Sequence, residues 1–347
     1  MRYKLLGSSG LRVAELCLGT MTFGEDWGWG ASAETSRAIF DLYAEAGGNF
    51  IDTSTNYTEG SSEKILGDCL KANRDYFVIA TKYTLTTVGQ TDPNQGGNNR
   101  KNMRQTVERS LRRLQTDTLD ILYLHVWDYT TSTEEILRGL DDLVSSGKVQ
   151  YIAISDTPAW IVAECNTLAT LRGWSRFIGL QIPYSLLNRT AERAELLMAK
   201  HWDMGVLPWG ILGGGLLTGK YRADNHEPKR QGDRVLDERT QQIVDEVGKV
   251  ADELGRTPSQ IAINWVRQQQ ARAQMIPILG ARTLDQLRDN LACLDFEIEN
   301  DQMTRLNNVS QIDYGFPRSF VEGSGIREYI FGQTYDRIDN HRGYPAK

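Results

Sequence analysis

Four side chains in the first 125 residues are of types that could together move a proton. Asp52 and Tyr57 share the segment DTSTNYTEG, Lys82 lies near the end of FVIATKY, and His125 closes LDILYLH. Each alone has a structural reading: Asp52 as a loop cap, Tyr57 as rim packing, Lys82 as a solvated cation, His125 as a buried ring bonded to backbone. Lys82 and His125 resist that reading most, because each terminates an apolar run. As a set they suit protonation of a carbonyl oxygen. A free phenol titrates at about pH 10, too high for efficient proton exchange near neutrality. An ammonium beside it favours the phenolate and lowers that value. Asp52 would hold the ammonium of Lys82, and His125 would bond and orient the substrate oxygen.

Groups so far apart in sequence need a scaffold that gathers strand ends. Eight short, nearly continuous apolar runs alternate with helical stretches: 15–20, 49–54, 77–83, 119–125, 149–155, 177–185, 204–210 and 275–280. Such runs are those of parallel strands buried on both faces. Helices are expected over 33–46, ending at Gly47-Gly48, over 103–114, from Thr133, and over 259–270 after a Thr257 cap and Pro258. This pattern predicts an α/β fold, a (β/α)8 TIM barrel with an N-terminal β-hairpin turning at Ser8-Ser9-Gly10 and long loops at the C-terminal face. A doubly wound sheet would place GxGxxG after its first strand; the chain has MTFGEDWGWG there. No linker divides the chain, so residues 1–347 read as one domain. Residues 212–236 and the tail from about 313 fall outside the βα period, and the tail is expected to contribute to a substrate pocket.

The bulk numbers narrow the classes. The 347 residues carry a formal net charge of −6, with 40% hydrophobic and 24% charged residues. That is an ordinary globular composition, and its acidic balance argues against nucleic acid or an anionic membrane as partner. The four cysteines, Cys17, Cys69, Cys165 and Cys293, are scattered and read as reduced thiols of a cytoplasmic protein. The histidines show no HxH or HExxH spacing, so no metal is expected. No run reaches the roughly 18 apolar residues of a membrane span.

From its first strand to about residue 310 the chain resembles the aldo-keto reductases, in the bacterial-type branch similar to potassium-channel β-subunits. DTSTNY followed by SEKILG, then ATK, then YLHVWD match that family's motifs in order. The resemblance implies an NADPH-dependent oxidoreductase that reduces an aldehyde or ketone reversibly, with Asp52, Tyr57, Lys82 and His125 as catalytic tetrad and Tyr57 as general acid. It implies NADPH/NADP+ held by Thr20, Met21, Ser155, Asp156, Gln181 and Tyr184, the last stacking on the nicotinamide. Further along, PWGILGGGLLTGKY supplies Trp209, Gly210, Leu212, Gly214 and Lys220. GARTLDQLRDN supplies Gly280, Arg282, Gln286 and Asn290 at a helix N-terminus suited to phosphate. Arg282 with Lys220 favours NADPH over NADH.

Two positions depart from the family pattern. Asp156 stands for the usual Asn, and Gly210-Ile211 for the usual Ser-Pro. An ionised Asp156 accepts hydrogen bonds but cannot donate to the carboxamide oxygen. Trp27, Trp29, Tyr83, Trp127 and Phe320 are the expected walls of a pocket for a hydrophobic or ring-containing small molecule, carbonyl or alcohol. The sequence leaves a homo-oligomer open. Two rivals remain: a cofactor-binding regulatory subunit with little turnover, and a phosphate-binding aldolase using Lys82 as a Schiff-base nucleophile.

Overall fold

The computed structural model describes residues 1–87, 89–220 and 236–339. Residues 221–235 of the expected 212–236 loop and the last part of the tail, 340–347, lie outside the described residues.

A hairpin opens the chain. β1 (Tyr3–Leu5) and β2 (Arg12–Ala14) pair antiparallel around the turn the sequence announces. A parallel sheet then runs β3 (Cys17–Gly19), β4 (Phe50–Asp52), β5 (Val78–Tyr83), β6 (Leu119–Leu124), β7 (Val149–Ser155), β8 (Phe177–Pro183) and β9 (Gly205–Trp209), each paired to the next. The eighth barrel strand is split into β10 (Gln274–Met275) and β11 (Ile278–Gly280). β10 pairs with β9 and β11 pairs with β3, so this one pass of chain closes the barrel. The break falls at Pro277, which has no N–H to give a ladder. Its carbonyl still accepts from Cys17 N–H at 2.9 Å, and Ile276 N–H donates to Val206 at 2.8 Å. The eight expected strands and the hairpin are therefore present, with the eighth interrupted.

Helices fill the crossovers. Thr257 caps Pro258–Arg267 in a full capping box with Gln260, an arrangement that contributes about 1 kcal/mol. The expected helix at 103 begins earlier, at Arg100, because Asn99 accepts from the Asn102 N–H. The first helix, Ala33–Glu45, stops where expected. Gly48 is required just beyond it, since a Cβ there would sit 2.3 Å from the Tyr43 ring.

Strand side chains alternate inward and outward. Phe50, Val78, Ala80, Ile121, Tyr123, Ala153 and Leu207 fill the barrel, and Leu6, Val13 and Ala14 of the hairpin segment pack under them as a floor. Continuing the same parity to the strand ends gives Asp52, Lys82, His125, Ser155, Gln181 and Trp209. The polar site is thus the top layer of the barrel core. Among the described residues, no helix is long and apolar enough to cross a membrane.

Candidate active site

Lys82 is fully buried, and its ammonium donates three hydrogen bonds: to Asp52 Oδ2 at 2.6 Å, to the Thr53 carbonyl at 2.9 Å and to Tyr57 Oη at 2.9 Å. An ammonium has three protons, so all are engaged. Gln181 Nε2 donates to the other Asp52 oxygen at 2.8 Å. The Tyr57 oxygen accepts from Lys82, which leaves its own proton for a group in the mouth. His125 stands beside it, ring centroids 6.1 Å apart and edge-on. The four expected residues are therefore in one cluster.

Electrostatics refine the expectation for Tyr57. Burial raises its pKa, Lys82 pulls it down, and the net shift is upward. The anticipated lowering by Lys82 exists but is outweighed by desolvation of the phenolate. Burial opposes the charge on Lys82, but Asp52 and Tyr57 overcome it and its pKa is raised. A Schiff-base nucleophile needs a neutral amine, so this environment speaks against the aldolase alternative. His125 is held well below its ordinary value, first by burial and then by the Lys82 charge, and is neutral at pH 7.

The loop carrying Tyr57 is strained and fastened. Thr58 and Glu59 have φ of 45° and 52°, in the left-handed region that β-branched threonine rarely enters. Thr58 Oγ1 donates to Phe23 O at 2.6 Å, and Trp27 Nε1 donates to Glu59 at 3.2 Å. Arg113 Nη1 donates to Thr55 O at 2.8 Å and pairs with buried Glu63 at 3.2 Å. A Cβ at Gly60 would fall 2.3 Å from that guanidinium. Glu63 also accepts from Thr81, the neighbour of Lys82, at 2.7 Å. Sequence reasoning misses Arg113 and Glu63: SEKILG carries only the family resemblance, and Arg113 lies on an expected helix with no spacing that ties it to Tyr57.

Two of the expected pocket and cofactor residues, Tyr83 and Tyr184, face away from the mouth. Tyr83 follows inward-facing Lys82, so it points outward and is fully buried between sheet and helices. Tyr184 has the same parity fault relative to Gln181. Its ring is buried against Trp265, centroids 5.3 Å apart, and its hydroxyl donates to Glu192 at 2.7 Å. It offers no face for stacking; Trp209, 41% exposed at the mouth, does. Phe320 is exposed and pairs with Phe316. The tail bearing it is bonded to the outer segment at Glu192 and Arg193, which receive Tyr314 and hold Asp313. Thr20 is buried with its hydroxyl donating to the Asp52 carbonyl at 3.0 Å, so it supports the tetrad from within. Trp27 lies 6.5 Å from the Tyr57 ring and 5.6 Å from Trp29. Trp127 is half-buried against Tyr129, and Met21 is exposed.

The remaining residues fit a dinucleotide. Ser155 Oγ is buried and has no hydrogen-bond partner among the described residues, which suits an incoming carboxamide. Asp156, at φ 39°, turns out of the strand and accepts from Trp209 Nε1 at 3.3 Å. Gly210, Gly215 and Gly280 have open space where a Cβ would stand, so a phosphate could approach their backbone. Gly214 and Lys220 are exposed, while Leu212 and Arg282 are half-buried. Gln286 accepts from the Arg282 N–H at 2.9 Å, and Asn290 donates to Gly280 O at 3.3 Å; both hold the loop in shape.

Comparison with known proteins agrees with this architecture. The aldo/keto reductase family model matches residues 15–311. Norsolorinic acid reductase of Aspergillus flavus is 35% identical over 343 residues, covering 95% of this chain and 86% of that protein. The NADP(+) aryl-alcohol dehydrogenase of Phanerodontia chrysosporium is 35% identical over 340 residues, covering 90% and 87%. A putative aryl-alcohol dehydrogenase of Saccharomyces cerevisiae is 35% identical over 331 residues, covering 90% and 88%. With the barrel, the tetrad and this similarity together, the chain belongs to the aldo/keto reductase family.

Proposed function

We propose that the protein interconverts a ring-containing aldehyde or ketone and its alcohol, using NADPH/NADP+ as hydride carrier and Tyr57 as proton donor. The observation that carries this reading is the Lys82–Tyr57 contact. The third ammonium proton of Lys82 goes to the phenol oxygen, and the phenol proton is left for a carbonyl oxygen in the mouth. The raised Tyr57 pKa keeps that proton in place at neutral pH. Trp27, Trp29 and Trp127 would give an aromatic substrate apolar walls. The named activities of the relatives point to the same substrate class.

Ser155, Asp156 and Gln181 would take the carboxamide end, Trp209 the ring face, and Gly210, Leu212, Gly214, Lys220, Gly280 and Arg282 the phosphates. When bound, the cofactor supplies hydride; the protein's part is to hold the substrate oxygen within reach of Tyr57, beside His125, and to exclude water. The four cysteines are free and buried, which suits a reducing, cytoplasmic compartment.

The test is NADPH oxidation with a panel of aromatic and aliphatic carbonyls. Turnover strongest on aromatic members is expected. Tight NADPH binding without turnover would point to the regulatory-subunit alternative, and absence of NADPH binding would sink the proposal.

A further inference from the structure

His125 has a second contact that the tetrad does not explain. Ser54, fully buried two residues after Asp52, places its Oγ 3.2 Å from His125 Nδ1. The same Oγ lies 2.7 Å from Asn56 Oδ1. An amide oxygen can only accept, so the Ser54 hydroxyl is the donor of this bond. A serine hydroxyl has one proton. With that proton on Asn56, Ser54 faces the imidazole with a lone pair, so Nδ1 must carry the hydrogen that joins them. The ring is neutral, because burial and the Lys82 charge hold its pKa well down. A neutral imidazole has a single N–H. Nε2 is therefore bare, and it forms no hydrogen bond with the described residues.

We propose that Asn56 and Ser54 are positioning residues that fix His125 in the Nδ1–H tautomer and present Nε2 as a hydrogen-bond acceptor beside Tyr57. The consequence for substrate follows from donor counting and rests on the carbonyl–alcohol reading above. A carbonyl oxygen can only accept, and it finds one donor, the Tyr57 hydroxyl. An alcohol hydroxyl can accept from Tyr57 and also donate to Nε2. The site then holds the alcohol partner with one more hydrogen bond than the carbonyl partner.

The tautomer is read directly by long-range ¹H–¹⁵N correlation on protein with ¹⁵N-labelled histidine, with His125→Gln identifying the signals. The wild type and Asn56→Asp, whose carboxylate can only accept, are expected to carry the proton on Nδ1. Ser54→Ala, which removes the acceptor, is expected to shift it to Nε2. The alcohol-to-carbonyl affinity ratio should fall by about fivefold in Ser54→Ala, the worth of one neutral hydrogen bond, with NADPH affinity unchanged. A wild-type ring protonated on Nε2, or a Ser54→Ala ring with its proton still on Nδ1, would overturn the proposal. Should the tautomers behave as stated while neither carbonyl nor alcohol binds, the assignment of Ser54 and Asn56 stands and the substrate reading fails.

Discussion

Lys82 Nζ stands 2.9 Å from Tyr57 Oη and donates to it, while its other two protons are bound to Asp52 and the Thr53 carbonyl. The direction of that bond decides the chemistry. A phenol that accepts from an ammonium keeps its own proton free for substrate, and the phenolate left after transfer is stabilised by the same cation.

Lys82→Met should be costly to stability. It would leave the Asp52 carboxylate buried, bonded only through Gln181. Removing one member of a buried ion pair costs about 3–5 kcal/mol. Urea denaturation should show that loss, and adding Asp52→Asn should recover a good part of it. A Lys82→Met protein as stable as wild type would contradict the buried pair.

His125 should make stability pH-dependent. Its folded pKa lies well below the unfolded value of 6.5. As pH falls below that value, the unfolded chain takes up a proton that the folded protein refuses. Stability is then lost on the acid side and fully present above about pH 7. Between pH 7 and 5.5, wild type should lose roughly 1 kcal/mol more than His125→Gln in urea titrations. Parallel losses in the two proteins would exclude a neutral buried imidazole.

The Arg113 guanidinium should control the placement of Tyr57 from behind. Arg113→Ala removes the hold on Thr55 and opens the space against Gly60. Turnover should drop about 10- to 100-fold, as small misplacements of a reacting group do, with NADPH affinity retained in fluorescence titration. Unchanged turnover would show that the strained 57–60 turn keeps its shape alone.

Asp156 bears on direction. Burial raises its pKa, and the Trp209 indole and Lys82 counter that. In the binding mode proposed above, an ionised Asp156 beside the nicotinamide favours the cationic, oxidised ring. Asp156→Asn should lower the affinity for NADP+ relative to NADPH by about threefold to tenfold, the worth of a partly screened charge pair. Equal ratios in the two proteins, measured by calorimetry, would remove Asp156 from this role.

Most of the frame was legible because parallel strands advertise themselves as apolar runs and because the tetrad lies at their ends. Two misplacements, Tyr83 and Tyr184, share one cause. Residue type places Tyr83 at the mouth and resemblance places Tyr184 there, yet each has odd parity relative to an inward neighbour, Lys82 or Gln181, and strand alternation sends it outward. Nothing in a tail sequence says which face Phe320 docks on, and here hydrogen bonds at Glu192 and Arg193 fix the segment that bears it. Arg113, Glu63, Ser54 and Asn56 act through contacts between distant or strained segments, which no spacing rule encodes.

The most direct measurement is NADPH-dependent turnover of aromatic carbonyls by wild type and Tyr57→Phe, with NADPH binding followed in parallel. Phenylalanine keeps the ring between Trp27 and His125 and removes only the hydroxyl. Turnover should fall by about 10²–10⁴-fold, the contribution of a positioned general acid, with NADPH affinity unchanged. A Tyr57→Phe protein that reduces the same carbonyls at the wild-type rate would contradict the assignment of Tyr57 as proton donor.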